Sequence, residues 1–306
     1  LDLGLQPLAN RLPSSPHEEE PHFPLRVVEC PICGLVQIDE TVPPEELFSD
    51  YAYFSSYSDT MLEHARALTS RIITEEGLGS EDLVVELASN DGYLLSNYVD
   101  ASIPVLGVAP AANVARVAEG RGVSTRVAFF SEQVAGSISA EHGPARVIHA
   151  HNVLAHVANL NGFVEGIARL LESEGVAVIE FPYLGTLLER AAFDTIYHEH
   201  LCYFSLTSVA WLLSRHDLQV DDVEQISIHG GSLRLFVRHC GRGRPTPRVA
   251  ELLEAERAQP FKRGLAALNA RVKHVRQSVR AFVQDARARG KTVAGYGAAA
   301  KATVLL

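Results

Sequence analysis

The chain has 306 residues, of which 47% are hydrophobic and 21% charged, a composition typical of a globular protein long enough for two domains. Its formal net charge of -10 argues against a general nucleic-acid-binding surface, so we expect no nucleic-acid partner. Four cysteines do not make a disulfide framework, and the sequence contains neither a membrane-length apolar run nor a signal-peptide pattern. We therefore expect a cytoplasmic protein without membrane contact, and one that is incomplete at both ends.

The first 60 residues are rich in proline and are expected to be irregular apart from one short strand. They contain Cys30-Pro-Ile-Cys33-Gly34, a turn in which two thiolates can face one metal ion. A structural zinc needs four ligands, and Cys202 and Cys240 lack the spacing of a second pair. The pair is therefore half of a zinc site whose other two ligands lie upstream, or it is an unpaired redox or packing dithiol.

An aromatic segment follows, running from Phe48 to Tyr57. Its aromatic and hydroxyl side chains alternate without the period of a helix or a strand. The segment is either a loop that packs one module on the next or the lip of a substrate site.

Strands and helices then alternate along the chain. Strands are predicted at 83–87, 105–108, near 127, at 147–150 and 176–181, and as a closing pair at 218–228 and 232–239. Helices are predicted at 60–75, 93–99, 111–119, 160–171, 208–216 and within 249–289. A final strand at 292–295 is predicted to lead into a helix carrying Lys301. This order predicts a parallel sheet flanked by helices, with an antiparallel last strand and ligands at the carboxyl ends of the strands.

Two strand ends carry chemistry. The strand that ends at Glu86-Leu-Ala-Ser-Asn-Asp-Gly92 is followed by small residues, so that a ligand can approach backbone amides. It resembles motif I of S-adenosylmethionine-dependent methyltransferases, and the alternative is an ordinary tight turn. Asn152-Val-Leu-Ala-His156 follows the fourth strand, where such enzymes line the methyl-transfer pocket. A lone histidine on an apolar face is, however, often a core residue.

The segment 193–205 places Tyr197, His198, Glu199, His200 and Tyr203 within seven residues. On a helix the two histidines would point about 200° apart, and on a strand Glu199 would point away from them. A metal site is therefore not favoured. General acid-base catalysis needs only one histidine and one orienting partner, and this interpretation fits the segment.

Near the end, Gly295-Tyr-Gly297-Ala-Ala-Ala300-Lys301 has the form Gly-x-Gly-x-x-Ala between a strand and a helix. This is a phosphate cradle, which suits either NAD or the pyrophosphate of a sugar nucleotide.

Taken together, the motifs resemble one family, the nucleotide-sugar C-methyltransferases of antibiotic deoxysugar biosynthesis. The resemblance covers essentially the whole chain. It is carried, in order, by Leu3-Gly-Leu-Gln-Pro-Leu-Ala-Asn10, the Cys30 turn, Asp50-Tyr-Ala-Tyr-Phe-Ser-Ser56, Ala88-Ser-Asn-Asp-Gly92, Asn152-Val-Leu-Ala-His156, Phe193-Asp-Thr-Ile-Tyr-His-Glu-His200, His229-Gly-Gly-Ser-Leu-Arg234 and Gly295-Tyr-Gly297.

The resemblance implies a class I methyltransferase-type doubly wound α/β sheet at 59–242. It also implies an N-terminal zinc-binding module at 1–58 and a C-terminal α/β nucleotide-binding unit at 243–306. The implied reaction transfers methyl from S-adenosylmethionine to C3 of a thymidine-diphosphate (TDP) 4-keto-6-deoxyhexose through a base-generated enolate. The alternatives are an NAD(P)-dependent oxidoreductase on a nucleotide sugar and a non-catalytic nucleotide-sugar binder. We expect a monomer or weak dimer.

The same resemblance implies the residues of the site. The catalytic centre is expected at Tyr51, Tyr197, Glu199 and His200, with His200 as the base. Cofactor contacts are expected from Glu86, Ala88, Asn90, Gly92, Pro110, Asn113, Phe129, Asn152 and Val153. Substrate contacts are expected from Phe54, Ser55, Ser56, His156, His229, Gly231, Ser232, Arg234, Tyr296 and Lys301. The zinc ligands are expected to be Cys30 and Cys33.

The chain departs from the family pattern at two positions. Ala109 stands at the end of the second strand, where many members carry an acid that binds the ribose hydroxyls. His151 stands where an asparagine is common. Neither change removes a group expected to be catalytic.

Overall fold

The structure is a computed structural model that describes residues 1–11, 13, 15, 17–48, 53–259, 261–295 and 300–305. Its strands are β1 (Asp2–Pro7), β2 (His22–Glu29), β3 (Val36–Ile38), β4 (Val84–Leu87), β5 (Val105–Ala109), β6 (Thr125–Val127), β7 (Ala145–His151), β8 (Leu171–Pro182), β9 (Cys202–Tyr203), β10 (Leu218–Ile226) and β11 (Ser232–His239). Its helices are α1 (Pro44–Phe48), α2 (Asp59–Glu76), α3 (Ser96–Asp100), α4 (Ala112–Gly120), α5 (Glu132–His142), α6 (Leu160–Leu170), α7 (Leu184–Arg190), α8 (Leu206–Ser214), α9 (Pro247–Ala258), α10 (Phe261–Ala288) and α11 (Ala300–Leu305).

The larger sheet has seven strands in the order β10-β11-β8-β7-β4-β5-β6. Strands β4 to β8 are parallel, and β11 runs antiparallel to both of its neighbours. The chain order reverses at β4, which lies between β5 and β7, so a ligand crevice is expected at the carboxyl end of β4. The doubly wound α/β sheet predicted from the sequence is confirmed.

Two apolar layers cover this sheet. Helix α2 packs on one face, where Leu68 and Ile72 meet Val84 and Val147. Helices α5, α6 and α8 pack on the other face around side chains such as Ile148. Because both faces are buried, the central strands are apolar at nearly every position, and the few charged residues at their ends stand out.

The N-terminal region is not irregular, and that expectation was wrong. Strands β1, β2, β3 and β9 form an antiparallel sheet in this order. In β2, Leu25 and Val27 are buried while Arg26 and Val28 are exposed, the period of two of a half-buried strand. The many prolines nearby obscured this alternation.

Other differences are local. Residues 292–295 form no strand among the described residues, so the predicted last strand is not observed. The helix predicted from residue 93 begins only at Ser96, after a series of turns. Helices α5 and α7 and strand β9 were not predicted, because they are short or lack clear periodicity.

A buried carboxylate caps the N-terminus of helix α8. The side chain of Glu256 accepts hydrogen bonds from the backbone amides of Leu206 and Thr207, both at 2.8 Å, and from the Thr207 hydroxyl at 2.6 Å. Glu256 therefore joins α9 to the first turn of α8, where backbone amides have no helical partner.

We expect Glu256→Ala to lower the free energy of unfolding by about 2–3 kcal/mol, because one buried and one partly buried amide lose a charged acceptor. Glu254→Ala, on an exposed position of the same helix, serves as the matched control and should change stability by no more than about 0.5 kcal/mol. Urea denaturation measures both variants. Equal stability of the two variants would contradict this role of Glu256.

Candidate active site

The loop after β4 has an unusual backbone. Ala88, Asn90 and Gly92 have φ values of 59°, 50° and 75°, and Asn152, after β7, has 52°. A Cβ at Gly92 would also lie 3.1 Å from the side chains of Ala118 and Val123. Left-handed backbone at non-glycine residues is costly and clusters at ligand sites. These strained turns both lie at the carboxyl ends of central strands, where the ligand crevice is expected.

Several buried polar atoms in this region have no hydrogen-bond partner within the described structure. They are Glu86 Oε2, Ser89 Oγ, Asp91 Oδ1, His151 Nδ1 and Asn152 Oδ1. Burial, and then the nearby Asp91 and Glu180, raise the pKa of Glu86 well above its usual value. Buried polar groups are almost always paired, so this set indicates a site for a ligand rich in hydrogen-bond donors. The ammonium group and the ribose hydroxyls of S-adenosylmethionine fit it.

The remaining residues expected to bind the cofactor flank this set. Pro110 and Asn113 are half-buried at the start of α4, and Val153 is half-buried just after β7. Phe129 lies after β6 and is 42% exposed. The sequence motif and the structure therefore place the candidate cofactor residues along the ends of β4 to β7.

The second part of the site is the turn 197–200, closed by a hydrogen bond from the His200 amide to the Tyr197 carbonyl. His200 Nδ1 lies 2.7 Å from the Thr195 carbonyl oxygen and must donate to it. His200 Nε2 is then the unprotonated nitrogen, and it accepts from the Tyr197 hydroxyl at 3.1 Å. The turn thus fixes the tautomer that leaves a lone pair on Nε2.

His200 is neutral in this environment. Burial, followed by the neighbouring His156, His229 and Lys301, lowers its pKa to about 3. The His156 ring lies 5.0 Å from the His200 ring and donates from Nδ1 to the Glu199 carbonyl oxygen at 2.6 Å. Burial lowers the pKa of His156 as well. Two neutral imidazoles therefore lie side by side.

Glu199 does not orient the His200 ring. Its carboxylate accepts a hydrogen bond from Asn10 Nδ2 at 2.5 Å, and burial raises its pKa. His198 points away from both, with Nε2 3.2 Å from the Pro24 carbonyl oxygen in β2. In this turn, Tyr197 and Thr195 orient His200, while Glu199 and His198 attach the turn to the N-terminal region.

A buried ionic network lies next to the cofactor region, beneath α2. Arg234 Nε donates to Glu180 at 2.6 Å, His64 Nε2 lies 2.9 Å from the same carboxylate, and Arg234 also binds Glu224 at 3.1 Å. Burial alone would raise the pKa of Glu180. The neighbouring His151, His64 and Arg234 have the larger combined effect, so the pKa lies below its usual value. Arg234, which was predicted to contact substrate, is thus engaged by two carboxylates.

Two hydrogen bonds lead from the interior toward this network. Tyr98 and His149 are 2.8 Å apart and His149 and His151 are 3.2 Å apart, while His151 Nδ1 lies 3.9 Å from Glu180 without a hydrogen bond. Burial lowers the pKa of His151 to about 4 and that of His149 well below its usual value. His149 and His151 are therefore neutral at pH 7.

The other predicted substrate residues lie in separate places. His229 and Lys301 are exposed and close enough to His200 to lower its pKa. Ser232 is buried, and its hydroxyl donates to the Ile228 carbonyl oxygen. Gly231 has a φ of 120°, and its carbonyl accepts from the Tyr183 amide. Phe54, Ser55 and Ser56 lie against the loop after β4. Tyr51 and Tyr296 lie outside the described residues.

Cys30 and Cys33 occupy the turn between β2 and β3. The Cys30 amide donates to the Leu35 carbonyl, the Gly34 amide donates to the Cys30 carbonyl, and Gly34 has a φ of 71°. Backbone hydrogen bonds from Cys33 and Ile32, and then the Cys33 thiol, lower the pKa of Cys30, whereas burial raises the pKa of Cys33. This geometry fits two ligands of one zinc ion. Among the described residues, no third cysteine, histidine or carboxylate completes a metal site with them.

Sequence reasoning missed several residues around the site, among them Asn10, His64 and Glu180. Glu180 carried a usable signal, because it is the one acid in the apolar run of β8 and lies at its carboxyl end, as Glu86 does in β4. Asn10 lay inside a quoted motif, but its partner Glu199 is 189 residues away. No local pattern could have paired them.

No helix in the described part of the chain is both long and apolar enough to span a membrane.

Comparison with known proteins gives a consistent result. Three family models match in sequence: "Putative zinc binding domain" at 1–48, "Methyltransferase domain" at 61–223 and "C-methyltransferase C-terminal domain" at 227–306. C-methyltransferase NovU from Streptomyces niveus is 38% identical over 315 residues, which cover 100% of this chain and 74% of NovU. In fold, the PH0226 protein from Pyrococcus horikoshii aligns with a TM-score of 0.50 and 16% identity over 65% of this chain and 100% of its own.

The depressed pKa of His200 makes a testable contribution to stability. An unfolded histidine has a pKa near 6.5, so below that pH the unfolded state binds a proton that the folded state does not. This contribution is fully present above pH 6.5 and is lost as the pH falls toward 3. When the pH is lowered from 7 to 5, the free energy of unfolding should fall for both proteins. We expect the fall to be about 2 kcal/mol smaller for His200→Asn than for the wild type. Urea denaturation at both pH values measures this, and equal losses would contradict it.

Proposed function

The chain belongs to the S-adenosylmethionine-dependent C-methyltransferases, the family of NovU, and from this premise we propose that its substrate is a TDP-4-keto-6-deoxyhexose methylated at C3. The proposal places a ketone next to the methylated carbon, because the carbonyl takes up the negative charge that is left when a proton is removed from that carbon. The observation that carries the proposal is the His200–Tyr197 pair.

His200 acts as the base. Its Nε2 lone pair takes the C3 proton, because Nδ1 already donates to the Thr195 carbonyl and holds the ring in place. Its low pKa keeps Nε2 unprotonated throughout the neutral pH range. The C3–H bond breaks, a bond from Nε2 to hydrogen forms, and the electron pair moves toward the C4 oxygen.

Tyr197 supports the enolate. In the free protein its hydroxyl donates to His200 Nε2. Once Nε2 holds the substrate proton it can no longer accept, and the Tyr197 hydroxyl becomes available to donate to the developing enolate oxygen. Glu199 keeps the turn in place through Asn10, and His156 does so through the Glu199 carbonyl.

Glu86, Asn152 and the loop 88–92 would hold the cofactor. When bound, S-adenosylmethionine supplies an electrophilic methyl group for C3. The unpartnered Glu86 Oε2 and Asn152 Oδ1 would accept hydrogen bonds from its ammonium group.

Exposed groups near His200 serve the sugar nucleotide. Lys301 supplies a positive charge and His229 a neutral imidazole within electrostatic reach of His200, and a diphosphate bound there would explain how a protein with net charge -10 binds an anionic substrate. Cys30 and Cys33 would hold a structural zinc ion in the N-terminal module. The alternatives of an oxidoreductase and of a non-catalytic binder have no supporting observation in the described residues.

We expect His200→Asn to lower kcat by about 10²–10⁴-fold, because a positioned base contributes that much. His198→Asn is the matched control in the same turn, since the His198 ring faces Pro24 and not the site, and it should retain activity within about tenfold. Both variants should still bind S-adenosylhomocysteine. Intact-mass detection of the methylated sugar nucleotide measures turnover. A fully active His200→Asn would remove His200 as the base.

Substrate choice gives a second test. In a panel of sugar nucleotides, only those with a ketone beside the accepting carbon should gain a methyl group, and 4-hydroxy analogues should gain none. Mass spectrometry of intact products, with carbon connectivity from NMR, distinguishes carbon from oxygen methylation. Methylation of the 4-hydroxy analogue would argue for a different acceptor chemistry.

A further inference from the structure

The segment 53–56 is bound to the loop after β4. The Ser55 amide donates to Asn90 Oδ1 at 3.1 Å, and Asn90 Nδ2 donates to the Tyr53 carbonyl at 3.0 Å. The Ser56 amide donates to Asp91 Oδ2 at 3.3 Å. Three hydrogen bonds to two neighbouring residues fix this segment on the cofactor loop.

Arg121 adds a second attachment. Its guanidinium donates to the Ser56 hydroxyl at 2.7 Å and to the Asp91 carbonyl at 3.1 Å, and it lies 3.5 Å from the Asp91 carboxylate. The Asp91 side chain is fully buried, so its charge needs this partner. The segment 53–56 is therefore part of the same rigid unit as the loop 88–92.

This unit places Phe54 at the end of β5. The Phe54 ring packs against a small apolar cluster of Ala109, Ala111 and Val114, all nearly fully buried. Ala109 is the last residue of β5 and takes the position at which many family members have an acid. No carboxylate is present at this position to accept from ribose hydroxyls.

The cofactor site consequently has two halves of different character. The unpartnered acceptors Glu86 Oε2 and Asn152 Oδ1 lie at the ends of β4 and β7. The apolar cluster with Phe54 lies at the end of β5, on the opposite side of β4. S-adenosylmethionine has a charged amino-acid end and an adenosine end with an aromatic base. Charge complementarity directs the amino-acid end toward β7, and the adenosine end then lies toward β5.

We propose that the Phe54 ring contacts the adenosine of the cofactor. Its apolar and stacking contacts contribute binding affinity at the end of β5, where this chain has Ala109 in place of the acid that many family members carry. The segment 53–56 then belongs to the cofactor site and not to a sugar-binding lip. This inference depends on the cofactor and not on the identity of the sugar proposed above.

Isothermal titration calorimetry without sugar tests the proposal. We expect Phe54→Ala to weaken binding of S-adenosylhomocysteine by about tenfold to hundredfold, the range of a lost base–aromatic contact. Phe54→Tyr should restore it. Phe282→Ala removes an aromatic side chain that is 66% exposed on helix α10, outside the segment 53–56, and it should bind like the wild type.

A fragment of the cofactor locates the contact. 5′-Methylthioadenosine lacks the amino-acid end, so Phe54→Ala should weaken its binding by the same factor as for S-adenosylhomocysteine. Glu86→Gln should weaken S-adenosylhomocysteine but leave 5′-methylthioadenosine unchanged. If Phe54→Ala binds both ligands normally, the proposal is overturned. A raised KM for the sugar nucleotide in that variant would then assign the segment 53–56 to the substrate site. An unreactive sugar panel would defeat the proposed substrate and leave these binding results untouched.

Discussion

The geometry of the site depends on a set of backbone hydrogen bonds. Through them, the segment 197–204 joins the two sheets. The Leu201 amide donates to the Ala155 carbonyl beside the larger sheet, and the Leu201 carbonyl accepts from the Ile38 amide of β3. Phe204 accepts from the Leu184 amide after β8. The turn bearing Tyr197 and His200 is therefore held between the N-terminal sheet and the methyltransferase sheet. Neither unit alone would place the His200 ring against the cofactor end of β7.

Electrostatics separates the site into two zones. Around His200 and His156, burial disfavours positive charge, and both imidazoles are neutral. Around Glu180, by contrast, Arg234 and His64 hold a buried carboxylate ionised. Neighbouring groups with strongly shifted pKa values, here neutral histidines and an ionised carboxylate, are typical of catalytic sites. The first zone can accept a proton, and the second holds an ionised carboxylate paired with Arg234 and His64.

The sequence predicted the sheet well because strands buried on both faces are continuous apolar runs. Glu86 was recognised since the small residues after it mark a ligand loop. Glu180 carries the same strand-end signal but is followed by Phe181 and Pro182, so it was not recognised. The partner of His200 could not be chosen from sequence. Tyr197 and Glu199 are both within three residues of it, and only the turn decides that the hydroxyl faces the ring while the carboxylate faces Asn10.

The central claim is that His200 removes a proton from carbon before methyl transfer. It is tested most directly by incubating a TDP-4-keto-6-deoxyhexose deuterated at C3 with the protein in the absence of S-adenosylmethionine. The account predicts that the wild-type protein exchanges the label for solvent hydrogen, and that His200→Asn does not do so above the uncatalysed rate. Equal exchange with both proteins would contradict the assignment of His200 as the base.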